Sequence, residues 1–345
     1  MTETIPQTMR AVVLERYEDD LSTAIAQLKV VERSVPELSH GQVLVKVEAA
    51  PCNPSDLLLL QGRYGMLKTL PSIPGWEGAG QVVATGGGWL GRWLLGKRVA
   101  CGLQENRDGT WAQYFVANAT ECIPLKRKLP FDQAAGLIIN PLTAMGLLDT
   151  AKRRGHHAAV QTAAASQLGR MILAMAKKAS YPILHVVRRD AQVELLESMG
   201  AEHVLNSSQE GFPEQFQAAC AHLGATAAFE AIGGELTGNI FNLMPQGSTV
   251  YVYGALSGEP CGNIDTIDLI FQDKSVRGFY LGDWLRCRGM LGTLRAAGRV
   301  QRLLIGGAIK TTVQRRLTLD EVTDGLVQYT GRMTEGKVLI LPHDK

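Results

Sequence analysis

The sequence predicts an α/β protein that joins a doubly wound parallel Rossmann sheet to an irregular, mostly antiparallel β-rich domain. Three observations support this fold class. Short strands separated by Pro and Gly turns extend to about residue 125, and alternating apolar strands and helices follow. The 345 residues, 46% hydrophobic and 20% charged, are enough for two separate cores.

The first part of the chain is rich in strand-forming residues. Partly alternating patterns mark its four predicted strands, which are 9–14, 42–48, 80–85 and 111–116. Turn clusters such as the Pro-Ser-Ile-Pro-Gly of residues 71–75 separate them. We therefore expect a domain of short strands, formed by residues 1–125 together with a returning C-terminal segment, 283–345.

Residues 126–282 show the pattern of a cofactor-binding Rossmann domain. Leu168, Met171, Ile172 and Met175 repeat at helical spacing after an apolar run at 158–161. Fully apolar strands suit a parallel sheet whose two faces are both covered by helices. The further predicted strands are 183–187, 203–205, 227–230, 249–253 and 275–279.

Composition excludes several classes of partner and compartment. The net charge is +2 with acids and bases interspersed, so we expect no nucleic-acid partner. The N-terminal segment lacks a signal-peptide core, and no apolar run reaches the ~18 residues of a membrane helix. The six cysteines are scattered and form no CxxC motif. These features predict a cytoplasmic protein with buried free thiols and no membrane partner.

A strand, a turn of small residues and a helix occupy residues 158–169, the context of a dinucleotide-binding turn. Only Gly169 remains of the expected glycines, and Gln167 lies near the position that favours positive φ. A plain strand–helix turn is the alternative. The predicted contacts to a pyrophosphate are Ala164, Ala165, Ser166, Gln167, Leu168 and Gly169.

Arg188 and Arg189 follow the second predicted strand of this domain, and Asp190 comes only after them. NAD-specific sites place an acid at this strand end, whereas a 2′-phosphate requires a cation. Two guanidiniums therefore favour NADPH over NADH. The alternative is a solvated pair of charges.

Several motifs in the same order along the chain carry a family resemblance. They begin with Asn53-Pro-Ser-Asp and continue at 61–65, 74–80, 109–114, 140–144, 200–204 and 277–281. With these motifs the chain resembles the medium-chain dehydrogenase/reductase superfamily, and within it the zinc-free quinone oxidoreductases and 2-enoyl thioester reductases. The resemblance implies that the β-rich domain is a GroES-like catalytic domain.

The positions of the catalytic zinc ligands can be compared residue by residue. Zinc-dependent relatives carry Cys where this chain has Asn53 and His where it has Trp76, and their third ligand falls near Ile139 or Asn140. An indole cannot ligate zinc, and the chain also lacks a four-cysteine structural lobe. We therefore predict no bound metal.

Without a Lewis acid, the expected substrates are acceptors activated by conjugation: enoyl thioesters, enones or quinones. The resemblance implies Tyr64 as the proton donor, because a phenol stays protonated at neutral pH. A tyrosine that only packs in its loop is the alternative. Asn53 is expected to orient the substrate or Tyr64, or only to cap the turn before Pro54. Trp76 and Trp284 are the predicted walls of the substrate pocket, and a tryptophan buried in the core is the alternative for Trp284.

The resemblance also implies cofactor contacts beyond the turn. Thr143 would face the nicotinamide side, Gly254 and Ala255 end a strand at the carboxyl edge, and Phe279 and Leu281 would present backbone groups to the carboxamide. Relatives commonly dimerise through an edge strand of this sheet, and residues 249–253 are apolar enough to lie near that edge. A homodimer is therefore expected.

The favoured hypothesis is a metal-free, NADPH-dependent oxidoreductase that transfers hydride to an activated C=C bond of a small molecule, with Tyr64 as proton donor. An NADPH:quinone reductase of the same fold, which needs no dedicated acid, is the first alternative. The second is a cofactor-binding structural or interaction protein without turnover, because a fold does not guarantee activity.

Overall fold

The computed structural model describes residues 4–102 and 106–344. The predicted ranges 1–125 and 283–345 include residues 1–3, 103–105 and 345, which lie outside the described residues. The chain forms two compact units, Met1–Ile139 with Arg288–Lys345, and Asn140–Cys287. The predicted domain boundaries at 125/126 and 282/283 stay a prediction.

The first unit is built mainly on antiparallel strands. Its strands are β1 (Thr8–Val13), β2 (Lys29–Ser34), β3 (Gln42–Pro51), β4 (Glu77–Thr85), β5 (Arg98–Gly102), β6 (Tyr114–Asn118), β7 (Ile123–Pro124), β14 (Val313–Leu317) and β15 (Lys337–Ile340). The larger sheet has the order β14-β15-β3-β4-β5-β7, with β6 also paired to β3. Strands β1 and β2 form a separate antiparallel pair.

Short helices cover this sheet. They are α1 (Leu21–Ala26), α2 (Pro54–Leu60), α3 (Trp89–Leu94), α4 (Phe131–Ala134) and α12 (Val322–Thr330). Alternation along β3 buries Val43, Val45 and Val47 in a core that also contains Leu326 of α12. The long pairing of β3 with β4 fixes the positions of two segments. These are residues 51–56, at and just after the end of β3, and residues 76–77, at the start of β4.

The second unit contains a parallel sheet of six strands. In sheet order they are β10 (Val204–Asn206), β9 (Ile183–Val187), β8 (Ala158–Gln161), β11 (Ala225–Glu230), β12 (Thr249–Val252) and β13 (Ser275–Gly278). Strands β8 and β9 are buried on both faces, as their mostly apolar sequences predict. The predicted combination of a Rossmann sheet and a mostly antiparallel β domain is confirmed.

Among the described residues, seven helices accompany the parallel sheet, of which the second to the sixth connect successive strands, while the first precedes β8 and the last follows β13. They are α5 (Ile139–Arg153), α6 (Gln167–Lys178), α7 (Asp190–Ser198), α8 (Phe212–Leu223), α9 (Gly234–Leu243), α10 (Thr266–Phe271) and α11 (Leu281–Ile305). Gly289, at φ 61°, interrupts α11. Among the helices within residues 4–102 and 106–344, none is long and apolar enough to cross a membrane.

Two predicted strands shift in the structure. The prediction at 111–116 becomes β6, Tyr114–Asn118, because Trp111 and its neighbours instead form a loop whose backbone bonds to Pro74. The prediction at 80–85 extends back to Glu77 in β4. This extension places Glu77 inside the sheet.

Candidate active site

Helix α2 begins at a buried polar corner in the first unit. Asn53 precedes its first residue, Pro54, and the carboxylate of Asp56 accepts a hydrogen bond from the Asn53 backbone N–H at 2.7 Å. The other oxygen of Asp56 accepts from the Trp76 backbone N–H at 2.9 Å. Asp56 thus joins the start of α2 to the start of β4. Burial raises the pKa of Asp56 to about 6, against the opposing effect of these two N–H donors.

The side chain of Asn53 connects two buried ionisable residues. Its Nδ2 donates to Glu77 Oε1 at 3.1 Å, and its Oδ1 accepts from Lys337 Nζ. Lys337 is the first residue of β15 and also donates to the Cys52 carbonyl at 3.3 Å. Pairing of β15 with β3 through Leu339 and Pro51 brings this lysine to Asn53.

Glu77 is fully buried and holds the turn before α5. Its Oε2 accepts from the backbone N–H groups of Ile138 and Ile139 at 3.0 and 2.9 Å. Burial raises the pKa of Glu77 to about 7, and the ammonium of Lys337 opposes that shift. Burial also lowers the pKa of Lys337, while Glu77 opposes it.

These residues do not fit a zinc ion. The Asn53 amide is bonded to Glu77 and Lys337, and the Trp76 indole N–H donates to the Ser55 carbonyl at 3.2 Å. A buried ammonium beside Asn53 would also repel a divalent cation. Over residues 4–102 and 106–344, no group of three or more His, Cys, Asp or Glu residues could hold a metal ion.

Tyr64 lies in the loop after α2 and contacts Trp76. The ring centroids of Tyr64 and Trp76 are 5.0 Å apart, with an interplanar angle of 43°. Trp76 is 2% exposed, and Tyr64 is half-buried. The structure therefore brings three of the predicted residues, Asn53, Tyr64 and Trp76, into one region of the first unit. Their assigned roles stay predictions.

Lys68 anchors the loop that carries Tyr64. Its buried Nζ donates to the carbonyls of Ile73 and Arg107 at 3.2 and 2.7 Å and lies 4.8 Å from the centroid of the Trp76 ring. The Tyr17 hydroxyl bonds to both the backbone N–H and the carbonyl of Lys68. Burial lowers the pKa of Lys68 to about 8, against the opposing charge of Asp56.

The predicted dinucleotide-binding turn of the second unit adopts positive φ at Ala163, not beside Gln167. Ala163 has φ 47°, whereas Gln167 is the first residue of α6. Ser166 caps α6 by accepting from Gly169 N–H at 3.1 Å. A Cβ on Gly169 would lie 2.4 Å from the Ala164 carbonyl oxygen, so only glycine allows this close packing. The position with positive φ therefore lies four residues before Gln167, the residue that the sequence places near it.

This turn fits a phosphate group. The amino end of the 12-residue helix α6 follows the short turn after β8, and the positive end of the helix dipole there favours an anion. Ala164 and Ala165 are buried within the turn, and Ser166 and Leu168 are half-buried.

Arg188 and Arg189 are exposed directly after β9. Neither guanidinium forms an ion pair with a carboxylate anywhere in the described part of the chain. Asp190 instead accepts from Asn206 Nδ2 and Gln209 Nε2 at 2.8 and 2.9 Å. Asp190 is thus committed to the neighbouring loop, while both arginines remain able to bind an anion.

Glu230 organises the carboxyl edge of the sheet, although the sequence did not single it out. The buried carboxylate accepts from the Ile232 and Gly233 backbone N–H groups at 2.7 and 2.9 Å. The hydroxyls of Thr162 and Thr237 also donate to it, both at 3.1 Å. Glu230 therefore fixes the loops after β8 and β11 together.

The next loop contains two predicted residues, Gly254 and Ala255. A Cβ on Gly254 would meet the Ala231 carbonyl oxygen at 2.6 Å, so the two loops approach closely. Tyr253 precedes them, and its hydroxyl is buried without a hydrogen-bond partner among the described residues. An orphaned donor beside this edge is consistent with a polar ligand there.

The remaining predicted residues of the second unit lie around α5 and β13. Thr143 is buried on α5, Phe279 follows β13 and donates its backbone N–H to the Val252 carbonyl at 2.8 Å, and Leu281 begins α11. Trp284 donates its indole N–H to Asp149 at 3.2 Å. Trp284 and Phe279 both pack against Gly146, where a Cβ would clash with their rings.

Two family models match the chain. Residues 39–127 match the alcohol dehydrogenase GroES-like domain, and residues 168–296 match the zinc-binding dehydrogenase model. The first match covers the corner formed by Asn53, Trp76 and Glu77. The second begins at the amino end of α6.

Several known proteins are similar over most of their length. Mitochondrial enoyl-acyl-carrier-protein reductase of Caenorhabditis elegans is 30% identical over 90% of this chain and 89% of its own. The Bos taurus enzyme of the same name is 30% identical over 81% and 74%. A crystal structure from Mesorhizobium loti, described as a candidate NADPH:quinone reductase, has 33% identity and a TM-score of 0.90, covering 99% of this chain and 100% of its own.

Proposed function

Because this chain belongs to the medium-chain dehydrogenase/reductase superfamily and is an oxidoreductase, we propose that it reduces an activated C=C bond with NADPH. Enoyl thioesters are the favoured substrates. The contact between Tyr64 and Trp76 carries this proposal, since Trp76 replaces a metal ligand and holds a phenol there instead. The enoyl reductase relatives named above support the same substrate class.

Different residues of the chain have different roles in the proposed reaction. Bound NADPH would supply the hydride. Tyr64 would donate its proton to Cα of the enolate, because hydride addition at Cβ leaves negative charge on the thioester enolate. Asn53 acts as a positioning residue through Glu77 and Lys337, and Trp76 forms one wall of the substrate pocket. Trp284 is proposed as a second wall.

The cofactor residues bind NADPH at the carboxyl edge of the parallel sheet. Residues 164–169 would hold the pyrophosphate at the amino end of α6, and Arg188 with Arg189 would bind the 2′-phosphate. Thr143, Gly254, Ala255, Phe279 and Leu281 would adjoin the nicotinamide half. The unpartnered hydroxyl of Tyr253 supports a polar ligand at this edge.

A quinone reductase is the second candidate, favoured by the description and 33% identity of the Mesorhizobium loti protein. A reduced quinone can take protons from water, so this reaction needs no dedicated tyrosine. Neither proposed reaction uses zinc, because the corner formed by Asn53, Trp76 and Glu77 does not fit that ion.

Oxidation of NADPH in the presence of each acceptor tests the proposal. We expect turnover with a 2-butenoyl thioester and formation of the saturated thioester, identified by mass spectrometry. Turnover with quinones alone would support the second candidate. Cofactor binding without turnover of enones, enoyl thioesters and quinones would contradict both and favour a non-catalytic protein.

We propose a homodimer formed through the β13 edge of the parallel sheet. Among the described residues, strand β13 pairs with β12 alone, so the predicted segment 249–253 lies one strand inside the edge. Helix α10, just before β13, exposes Ile267, Ile270 and Phe271 by 59%, 62% and 68%. An unpaired edge beside an apolar surface suits a second copy. Light scattering of Ile270→Asp should show monomers where the unaltered protein shows dimers.

The compartment is also a proposal. Four of the six free cysteines are buried, but the prediction was wrong for Cys261, in the loop before α10, and Cys287, on α11, which are exposed. A reducing cytoplasm would keep such thiols free. The relatives named above are mitochondrial enzymes. Fractionation of cells that express the natural chain would distinguish these two locations.

A further inference from the structure

A surface of the first unit combines exposed aromatic residues with cations. In α3, Trp89 and Trp93 are 76% and 51% exposed, and Leu95 after the helix is 49% exposed. Spacing of four residues puts both tryptophans on one side of the helix. Leu94 faces inward, where it is 1% exposed and belongs to the core. The short helix therefore presents its two largest apolar residues to the outside.

Six basic residues lie on this helix, at and just before the start of the strand that follows it, and in the 126–128 turn. The six basic residues of the surface are Arg92, Lys97, Arg98, Lys126, Arg127 and Lys128. Lys97 Nζ lies 4.1 Å from the centroid of the Trp93 ring, and Arg98 donates to the carbonyls of Arg127 and Leu129 at 3.0 and 2.6 Å. These contacts connect the helix to the 126–128 turn. We call these six cations with Trp89, Trp93 and Leu95 the tryptophan surface.

The neighbouring acids do not neutralise the tryptophan surface. None of its six cations forms an ion pair with a carboxylate within residues 4–102 and 106–344. Glu121, on the 3₁₀ turn packed against α3, is paired with Arg107 at 2.9 Å. Asp132, which follows the 126–128 turn, is paired with Arg316. The surface therefore keeps its charge.

This combination identifies the class of partner. A second copy of the chain would bring six further cations against the first six, which disfavours self-association. An anionic partner gains from every cation, and tryptophan is the side chain enriched where a polar headgroup layer meets an apolar phase. A basic, aromatic and short amphipathic element is typical of proteins that bind the membrane surface without spanning it.

We propose that the tryptophan surface binds reversibly to bilayers that contain anionic lipids. Trp89, Trp93 and Leu95 insert among the headgroups, and the six cations face lipid phosphates. This binding does not depend on the proposed reductase activity, because none of these residues belongs to the Asn53 corner or the cofactor edge. It would hold the enzyme beside apolar acyl substrates or quinones at a membrane surface.

Co-sedimentation with vesicles tests the proposal. The full chain should bind vesicles of phosphatidylcholine with phosphatidylglycerol, with a blue shift of tryptophan emission, and should not bind phosphatidylcholine alone. Raising the salt should release it, because screening weakens attraction to the headgroups. Arg92→Gln/Lys97→Gln should weaken binding by roughly 30-fold, given the contribution of each cation near a charged surface.

Matched variants separate insertion from folding. Trp89→Ala/Trp93→Ala should lose the emission shift and most vesicle binding, whereas Arg154→Gln/Lys178→Gln, which removes two cations from the second unit, should bind normally. Thermal melting should be similar for all variants. Failure of the unaltered chain to bind anionic vesicles would overturn the proposal. So would binding to soluble polyglutamate but not to vesicles, which would indicate an acidic protein partner.

Discussion

The aromatic rings of Tyr64 and Trp76 are in contact, with their centroids 5.0 Å apart. By the predicted correspondence Trp76 takes the place of a zinc ligand, and its indole N–H is bonded to the Ser55 carbonyl. The tryptophan therefore cannot move freely, and it gives the loop tyrosine a fixed neighbour. In the proposed reaction, a positioned phenol takes over part of the role of a metal by supplying a proton to the developing anion.

The arginine pair after β9 predicts the cofactor preference. Arg188→Ala/Arg189→Ala should weaken NADPH binding by roughly 10- to 100-fold, because it removes charge-assisted bonds to the 2′-phosphate. Binding of NADH should change little. Fluorescence titration with both cofactors checks this, with Arg154→Ala as the matched control. Equal loss of affinity for NADPH and NADH would contradict the assignment.

Replacing Ala163 by glycine should make the protein more stable. Its φ of 47° costs an L-residue more than it costs glycine, so Ala163→Gly should raise the free energy of unfolding by about 0.5–1 kcal/mol. Ala164→Gly is the matched control and should destabilise, since Ala164 is buried without positive φ. Urea unfolding measures both. A loss of stability in Ala163→Gly would mean that the methyl group contributes more by packing than it costs in strain.

Because burial lowers the pKa of Lys68, this residue should make the stability of the protein depend on pH in the alkaline range. Its pKa falls from 10.5 in the unfolded chain to about 8 in the fold, so between these values the unfolded chain binds more protons. The unfolding free energy therefore rises with pH in this window. Lys68→Met should lose this contribution, on the order of 1–2 kcal/mol between about pH 8 and 9.5.

Urea unfolding of Lys68→Met and the unaltered chain at both pH values measures the difference. Lys178→Met, which replaces an exposed lysine, is the control and should keep the pH dependence of the unaltered chain. Parallel pH dependence in Lys68→Met and the unaltered chain would show that Lys68 keeps an ordinary pKa in the fold.

The fold followed from periodicity, because the strands of a doubly wound sheet are apolar on both faces and the helices between them repeat at 3.6 residues. The strand β8 and the helix α6 are visible in this way. Asn53, Tyr64 and Trp76 were accessible because short motifs mark their positions. Their proximity in one unit depends on the β3–β4 pairing, for which the motifs give no direct signal.

The buried charged residues could not be identified in the same way. Lys337 lies 284 residues from Asn53, and only the pairing of β15 with β3 brings them together. Glu230 resembles an ordinary strand-end acid until its four hydrogen bonds are known. Glu77 had the best local signal, since it directly follows Trp76 in the Gly-Trp-Glu sequence. Ala163 was missed because small residues alone do not reveal which of them takes positive φ.

The most direct test of the central claim is the turnover number of Tyr64→Phe with a 2-butenoyl thioester and NADPH. Phenylalanine keeps the ring beside Trp76 and removes only the hydroxyl. If Tyr64 donates the proton, the turnover number for the thioester should fall by about 10²- to 10⁴-fold, and the binding of NADPH should stay similar. An unchanged turnover number would contradict this role and show that Tyr64 does not donate the proton.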